Sequence, residues 1–496
     1  MPLALAPFEL WPLAVVAPGL LFLALWRQAP RRALLLGWLT GVTRYGVGVS
    51  WIYVSIHEHG NASPLLAGTM VALFVMAMAL LPALMALAFA GLRARGAVTA
   101  VLAFTACWVL LEWLLTWLLT GFPWLFAGAA QVSTPLGGWA PVAGVLGVSL
   151  VTVFIGATLA AFALPAEPAT GRRGVAALAV LAALLWIGGT LLRTQSFTTP
   201  AGPPLRVALV QGVIPQEIKW LRSSRAEVTE RYETLSEPFW GADLLLWPEA
   251  ALTVFAREAP ELLERLDARG RASGTTLVLG MPDYERVAPG SDRAVFLNTA
   301  LAVGDGAGRY VKQRLVPFGE YVPLEGVLRG LIEFFDLPMA RARSGAPGQA
   351  PLRIGGRHAA VAICYEIAYP DLVRELADGT ELLLTISNDT WFGASIGPDQ
   401  HLQIARMRAL ELGKPLARAT NDGITALVDA RGGLGDRLPR FQPGVLTGSI
   451  QPMAGRTPFA VTGSWPTVLL AFLLLLPALL PAQLTGPLRD LIARRR

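Results

Sequence analysis

The hydrophobic runs are long in about the first two fifths of the chain and mostly short after that. Seven apolar runs are long enough, or nearly so, to cross a bilayer as helices. They occupy residues 10–26, 33–54, 64–92, 97–119, 139–165, 174–192 and 465–484. We therefore expect about seven transmembrane helices, six of them before residue 195 and one near the C-terminus.

From Leu205 onward the pattern changes to short apolar strands separated by amphipathic helices. The predicted strands are 206–212, 242–250, 275–282, 298–303, 358–364, 381–389 and 424–429, with helical patterns at 224–239 and 260–274. Strands that alternate with helices predict an α/β layered fold with buried sheets. We expect a transmembrane bundle over 1–194, an α/β catalytic domain over 195–464, and a transmembrane helix with a basic tail over 465–496.

Composition supports a membrane protein. Hydrophobic residues make up 54% of the chain and charged residues only 15%, and the mean hydropathy is +0.51, which is too apolar for an ordinary soluble enzyme. The first 200 residues contain no Lys and no Asp. The net charge of +6 does not indicate nucleic-acid binding, because the basic residues of the first half stand in short clusters between apolar runs.

These arginine clusters predict the orientation of the helices, because positive loops stay on the cytoplasmic side. The clusters lie at residues 27–32, 93–95, 172–173 and 494–496. Threading the helices through them places 195–464 on the opposite face, which in a bacterium is the periplasm. The same threading places Met1 outside with no helix before it, so we expect a shortened start that lacks one helix.

Ionisable groups are rare within the apolar runs, and Arg44 and Glu112 lie deepest. Such groups are costly in lipid, so either they pair and hydrogen-bond inside the bundle, with Arg44 extending towards the interface, or they have a function. The chain has two cysteines, Cys107 in an apolar run and Cys364 in the polar half. A disulfide between them is improbable, and no metal-ligand cluster can be drawn.

Cys364 stands where a predicted strand meets a predicted helix. An apolar run ends at Ile363, and Pro370 can occupy the first turn of a helix that follows. A strand, a sharp turn and a helix expose a nucleophile at the turn and place the next backbone N–H, that of Tyr365, as an oxyanion donor. The alternative interpretation is a buried structural cysteine. A lone thiol facing an oxidising compartment favours function.

Two further charged residues stand near predicted strand ends. Glu249 follows the run LLLWP, and we expect burial to raise its pKa to a value suited to proton transfer. Lys312 lies in RYVKQRLVPFGEYVPL, where it could stabilise an oxyanion, with Glu320 in reach of the same pocket. Taken singly, Glu249 could be an acidic residue at a helix N-terminus, and Lys312 could be a solvated surface charge. No histidine is an obvious partner for Cys364, so Glu249 is the best candidate base.

Several motifs resemble the nitrilase superfamily of carbon-nitrogen hydrolases, and in particular its membrane branch, the apolipoprotein N-acyltransferases. They are WPEAA (247–251), KQRLVPFGEYVPL (312–324), ICYE (363–366) and the run from ISNDTWFG to ATNDG (386–423), with SWIYVSIHEHG (50–60) and LTGFPWL (119–125) in the membrane half. The resemblance implies an αββα sandwich with a Glu249–Lys312–Cys364 triad.

The resemblance also implies an activity. An acyl chain from the sn-1 position of a phospholipid such as phosphatidylethanolamine would pass through a Cys364 thioester to the N-terminal amine of S-diacylglyceryl-cysteine apolipoproteins. The implied partners are the phospholipid donor, the apolipoprotein acceptor and the bilayer, with no cofactor, no metal and no nucleic acid. The implied location is the bacterial inner membrane, with the catalytic domain in the periplasm.

By the same resemblance, Glu320 and Glu366 would orient Lys312 and Cys364. The implied substrate-binding residues are Trp220, Asn388 and Trp391, although core packing is an alternative role for the two tryptophans. The unusually apolar segment 326–339 predicts a lid that dips into the outer leaflet, or alternatively an amphipathic helix under the sandwich.

Two competing functions remain open at this stage. A membrane-tethered amidase or nitrilase could use the same triad on a small amide, although a single anchor would be enough for tethering. A transporter or receptor with an inactive sandwich domain is the second alternative. The presence of Glu249, Lys312 and Cys364 together argues against it.

Overall fold

The computed structural model describes residues 1–92, 96–165, 169–286, 294–321 and 342–479. The chain forms two compact units. The first, called the helical unit below, comprises Met1–Val49, Met70–Thr194 and the chain from Ser464 onward, and the second, called the sandwich unit, comprises Ser50–Thr69 and Gln195–Gly463. The predicted lid at 326–339 lies outside the described residues.

The predicted apolar runs form helices. Within the described residues they are Pro12–Leu25, Pro30–Gly48, Pro64–Gly91, Ala97–Leu114, Ala140–Ala161, Ala169–Thr194 and Trp465–Leu479. Four helical segments are long and apolar enough to cross a membrane: Pro64–Gly91, Ala97–Leu114, Pro135–Ala161 and Gly171–Thr194. Small residues let helices approach closely, as where a Cβ on Gly19 would lie 2.7 Å from the Gly156 carbonyl oxygen.

Arg44 and Glu112 pair inside the helical unit. Arg44 is 3% exposed and Glu112 is fully buried, with 3.6 Å between an arginine Nη2 and the carboxylate Oε1. The Trp108 indole and the Ala127 N–H both donate to that oxygen at 2.9 Å, and Arg44 donates to the Leu125 carbonyl at 2.9 Å. The expected internal hydrogen bonding of Glu112 is confirmed. Arg44 is held inside the helical unit by the same contacts.

The sandwich unit contains two six-stranded sheets. The strands of these two sheets, in chain order, are β1 Leu205–Gln211, β2 Leu244–Leu246, β3 Thr276–Arg286, β4 Ala294–Gly304, β5 Gly308–Val311, β6 Leu352–Ile354, β7 Arg357–Ile363, β8 Leu382–Ser387, β9 Leu416–Thr420, β10 Ala426–Val428, β11 Leu434–Arg437 and β12 Gly444–Ile450. The short strands Thr199–Pro200 and Met453–Ala454 pair with each other. Its longer helices are Arg225–Ser236, Pro260–Ser273, Pro370–Leu376 and Gly397–Leu412. All seven predicted strands overlap observed strands.

Each sheet has a parallel centre and antiparallel edges. The first runs β12-β1-β2-β3-β4-β5 and the second β11-β10-β9-β8-β7-β6. In the first sheet β1, β2 and β3 are parallel, and in the second β7, β8 and β9 are parallel. The carboxyl ends of parallel strands gather at one edge of a sheet, where α/β folds place their functional groups.

The alternation of side chains explains the layers. Val207 and Leu209 of β1 point into the core between the sheets, which they share with Val361 and Ile363 of β7. The intervening residues of the first sheet point outward and pack with helices Arg225–Ser236 and Pro260–Ser273 in a second apolar cluster. Both faces of the strands are therefore buried, which is why they read as continuous apolar runs. The predicted fold class, a helical membrane bundle plus an α/β sandwich, is confirmed, although only four helices among the described residues have membrane-spanning length where about seven were expected.

Residues 50–69, which the sequence placed in the first segment, belong to the sandwich unit. Trp51–Val54 is a short α-helix and Ser55–His59 a π-turn. The Ser55 hydroxyl donates to the Trp391 carbonyl at 2.6 Å, and the Trp51 ring meets Phe392 edge-on at 4.7 Å. These contacts join segment 50–59 to the turn Asp389–Phe392.

Candidate active site

Cys364 lies at a strained turn directly after β7. Its φ is +53°, a left-handed conformation that non-glycine residues rarely adopt. A 3₁₀ turn, Cys364–Ala368, follows, and Pro370 then begins the helix Pro370–Leu376. The structure therefore has the strand, turn and helix that the sequence predicts. Strain of this kind, which costs about 1–3 kcal/mol, persists where surrounding contacts enforce it and is common at functional sites.

Lys312, Glu249 and Glu320 form a buried charged cluster. The Lys312 Nζ lies 3.2 Å from Glu249 Oε1 and 2.9 Å from Glu320 Oε1. The Asn298 amide joins the two carboxylates, donating to Glu249 at 2.8 Å and to Glu320 at 3.0 Å. The Asn388 N–H donates to the other oxygen of Glu249 at 2.8 Å. These contacts bring together residues that lie far apart in the sequence and fix the Glu249 carboxylate in place.

The pKa of Glu249 is lowered, so the expected raised pKa was wrong. Burial alone would raise it, but the charge of Lys312 and the hydrogen bonds from Asn298, Asn388 and Lys312 outweigh burial. The pKa of Lys312 is raised well above its usual value, because Glu249 and Glu320 outweigh the burial that would lower it. Both groups are therefore charged at neutral pH.

The pKa of the Cys364 thiol shifts in the opposite direction from that of Glu249. Burial raises its pKa and the negative charge of Glu249 raises it further, while Lys312 and a hydrogen bond with Ser387 act to lower it. The net result is a pKa well above that of a free thiol. At rest the pair is thus a neutral thiol and a carboxylate, the arrangement that a general base requires.

Glu366 connects the cysteine turn with the lysine segment. Its Oε2 accepts the Ile363 N–H at 2.8 Å, and its Oε1 accepts the Tyr310 hydroxyl and the N–H groups of Gln313 and Arg314 at 2.8, 2.6 and 3.1 Å. Burial raises its pKa to about 7, against the effect of these bonds and of Lys312. Glu366 therefore aligns the two backbone segments next to Cys364 and Lys312.

The four remaining predicted residues all lie in the sandwich unit and differ in their burial and their contacts. Asn388 is buried, and its side chain donates to Gln216 at 3.1 Å. Tyr365 is 7% exposed and packs edge-on against Tyr369. Trp220 and Trp391 are both half-buried. The Trp391 ring lies edge-on to His59, with 5.8 Å between ring centroids.

The sequence did not reveal four polar residues of the site. Asn298 lies on β4, while Asp389, His401 and Arg418 form a fully buried group whose histidine contacts the Cys364 carbonyl. The available signal was a polar residue inside an apolar strand, as with Arg418 in β9. Among the described residues, no group of three or more His, Cys, Asp or Glu side chains could hold a metal ion.

Comparison with known proteins identifies the family. A family model described as "Apolipoprotein N-acyltransferase N-terminal domain" matches residues 1–158, and one described as "Carbon-nitrogen hydrolase" matches 206–459. A protein from Pseudomonas syringae pv. tomato named "Apolipoprotein N-acyltransferase" is 44% identical over 97% of this chain and 95% of its own length. The chain belongs to the apolipoprotein N-acyltransferase family. The family predicted from the sequence is confirmed.

Other matches extend across the same residues. A second apolipoprotein N-acyltransferase, from Azotobacter vinelandii, is 46% identical over 97% of this chain and 93% of its own length. A crystal structure of a carbon-nitrogen hydrolase from Helicobacter pylori G27 covers 50% of this chain and 89% of its own chain, at 16% identity and a TM-score of 0.37. The similarity to the N-acyltransferases thus includes both the helical and the sandwich residues.

Proposed function

We propose that this member of the N-acyltransferase family transfers an acyl chain from a phospholipid to the N-terminal amine of an apolipoprotein, through a thioester on Cys364. The observation that carries the proposal is the group of Glu249, Lys312 and Cys364, in which a buried carboxylate and a buried ammonium act electrostatically on a half-buried neutral thiol. Membership of the N-acyltransferase family supports a lipid donor and a lipoprotein acceptor.

The first half-reaction forms the acyl-enzyme. Glu249 takes the thiol proton as the sulfur of Cys364 attacks the carbonyl carbon of the sn-1 ester. Lys312 and the Tyr365 N–H stabilise the oxyanion of the tetrahedral intermediate. The ester C–O bond then breaks, the leaving alkoxide takes the proton from Glu249, and the lysophospholipid departs. Asn298 and Asn388 hold the Glu249 carboxylate in place through their hydrogen bonds.

The second half-reaction releases the thiol. The α-amine of the S-diacylglyceryl cysteine attacks the thioester carbonyl, and Glu249 accepts the amine proton. The C–S bond breaks and the thiolate recovers that proton, so an amide replaces the ester with no net change in the enzyme. A thioester suits this exchange because amines attack it more readily than water does. Glu320 and Glu366 keep Lys312 and Cys364 in the correct orientation. The residues that contact the substrates are Trp220, Asn388 and Trp391.

We also propose the location and domain arrangement. The helical segments over 1–194 and the helix from residue 465 anchor the protein in the bacterial inner membrane, and 195–464 faces the periplasm. Four helices with membrane-spanning length and the arginine clusters between apolar runs support this arrangement. Protease added to intact spheroplasts should cleave 195–464. Protection there with cleavage in inverted vesicles would contradict the orientation.

The decisive assay supplies a phospholipid labelled in its sn-1 chain and a synthetic diacylglyceryl lipopeptide with a free α-amine. We expect the label to move to the lipopeptide, and an N-acetylated lipopeptide, the matched control, to remain unlabelled. The second candidate, a tethered amidase, is supported only by the shared fold of the sandwich unit. Hydrolysis of small amides without transfer to the lipopeptide would favour it and contradict the proposal.

A further inference from the structure

A second buried polar group lies directly behind the nucleophile. Asp389, His401 and Arg418 are each 0% exposed. Arg418 Nη2 donates to Asp389 Oδ2 at 2.6 Å and lies 3.0 Å from His401 Nδ1. Asp389 Oδ1, which also accepts the Ser387 hydroxyl at 2.6 Å, lies 3.0 Å from the same ring nitrogen. The other ring nitrogen, Nε2, lies 3.0 Å from the carbonyl oxygen of Cys364.

One ring nitrogen of His401 has a defined role. A carbonyl oxygen only accepts, so Nε2 carries a proton and donates to the Cys364 carbonyl. Burial lowers the pKa of His401 and the charge of Arg418 lowers it further, against the opposing effect of Asp389. Nδ1 lies 3.0 Å from both Asp389 Oδ1 and Arg418 Nη2, so these two charged groups hold the opposite side of the ring.

The acceptor of this hydrogen bond is part of the proposed oxyanion site. The Cys364 carbonyl and the Tyr365 N–H are the two ends of one planar peptide unit, so fixing the oxygen fixes the direction of the N–H. A donor on the carbonyl also polarises the unit and strengthens the N–H as a donor. The positive φ of Cys364 makes this orientation costly to maintain without such a contact.

We propose that His401 is a positioning residue that orients and polarises the Tyr365 N–H as an oxyanion donor. It acts through the peptide between Cys364 and Tyr365. The inference rests on the proposed function only in that an ester acylates Cys364. Asp389 and Arg418 hold the ring in place.

The test compares two reactions of the same sulfur in the full-length protein, in a Cys107→Ala background so that Cys364 is the only thiol. In acylation by a p-nitrophenyl ester, the S–C bond forms through an oxyanion before nitrophenolate leaves. In alkylation by iodoacetamide, the S–C bond forms as iodide leaves, and no oxyanion develops. Both reactions send the thiol proton to Glu249. Only acylation needs the Tyr365 N–H.

His401→Phe removes the donor but keeps a ring against Phe392, which the histidine now meets edge-on at 5.9 Å. We expect its acylation rate constant to fall about 10- to 100-fold, which is less than complete loss of an oxyanion donor costs, while alkylation stays near the parent rate. His401→Gln retains an amide N–H at the Nε2 position and should restore most of the acylation rate.

Equal losses in both reactions would overturn the inference, since they would show that His401 only keeps the thiol region folded. Unchanged acylation in His401→Phe would also overturn it, as would failure of His401→Gln to recover. The same samples are then given phospholipid. If phospholipid does not acylate the parent but the ester data follow the expected pattern, the proposed function fails and the inference stands.

Discussion

Replacing Glu249 by glutamine should convert acylation from base catalysis to dependence on free thiolate. The pKa of the Cys364 thiol lies well above its ordinary value and that of Glu249 lies below its ordinary value of 4.5. In the wild type, therefore, the carboxylate is present at every pH above the ordinary value, and the acylation rate should be flat through neutral pH. The acid limb should appear only below that value, because protonation of Glu249 removes the base.

Glutamine keeps the shape of the side chain but cannot accept the proton. A positioned general base contributes about 10²- to 10⁴-fold, so we expect a Glu249→Gln loss of that size at neutral pH. The remaining rate should rise about tenfold for each pH unit until the thiol itself titrates. Above the pKa of the thiol the rate should stop rising. Loss of the neighbouring negative charge lowers the pKa of Cys364, so in Glu249→Gln this should happen at a lower pH than the pH at which the wild-type thiol ionises.

Glu320→Gln is the matched control. Glu320 contacts the same Lys312 Nζ at 2.9 Å, where Glu249 lies at 3.2 Å, so each substitution removes one carboxylate from one ammonium. Lys312 retains one partner in both variants. Only Glu249→Gln removes the base, and Glu320→Gln should keep the flat profile at a lower rate.

The assay is single-turnover acylation by a chromogenic ester, measured from about pH 3 to about pH 10, a range that includes the ordinary pKa values of carboxyl groups and of thiols. A wild-type rate that climbs about tenfold per pH unit through neutrality would refute the reasoning, because the free thiolate would then be the nucleophile. A flat profile in Glu249→Gln would refute it equally, since another group would be the base.

Three further predictions concern supporting contacts. Glu366→Gln should lower stability by about 1–3 kcal/mol and slow acylation, because the glutamine NH₂ must face a backbone N–H that now donates to Glu366. Thermal melting measures the stability, and ester turnover measures the acylation rate. Gly393→Ala should slow acyl transfer, because Gly393 has a φ of +49° and a Cβ would lie 2.7 Å from a valine methyl. Gly379→Ala, with a φ of +68° and open space around it, should lose about 1–2 kcal/mol of stability but keep its activity. Removing one charge of a buried pair costs about 3–5 kcal/mol, so Glu112→Gln should melt well below wild type in detergent, and adding Arg44→Gln should recover part of the loss.

Local sequence patterns predicted most of the fold. Strands buried on both faces are continuous apolar runs, so all seven predicted strands exist, although 242–250 shortens to Leu244–Leu246. Strand β9 was missed because Arg418 interrupts its apolar pattern. That arginine is fully buried because Asp389, from the end of another strand, pairs with it at 2.6 Å. The residues next to Arg418 in the sequence do not include this compensating charge.

The electrostatics of the site depend on contacts distant in sequence, which is why they were less predictable. The run LLLWP before Glu249 correctly indicated burial, and burial alone would raise a carboxyl pKa. The groups that reverse the shift lie elsewhere in the chain: Asn298 on β4, and Lys312 and Asn388 just after β5 and β8. Likewise, segment 50–59 has no sequence signal for its contacts with Trp391 and Phe392, since they arise only in the folded chain.

In the proposed reaction, Cys364 carries an acyl chain between two substrates. The most direct measurement is the mass of the protein after incubation with a phospholipid of defined sn-1 chain and no acceptor, followed by peptide mapping. We expect the added mass of that one chain on the peptide containing Cys364, its removal by hydroxylamine or by an acceptor lipopeptide, and none in Cys364→Ala. An unmodified Cys364 in protein that still acylates the lipopeptide, or an acyl group on another residue, would contradict the account.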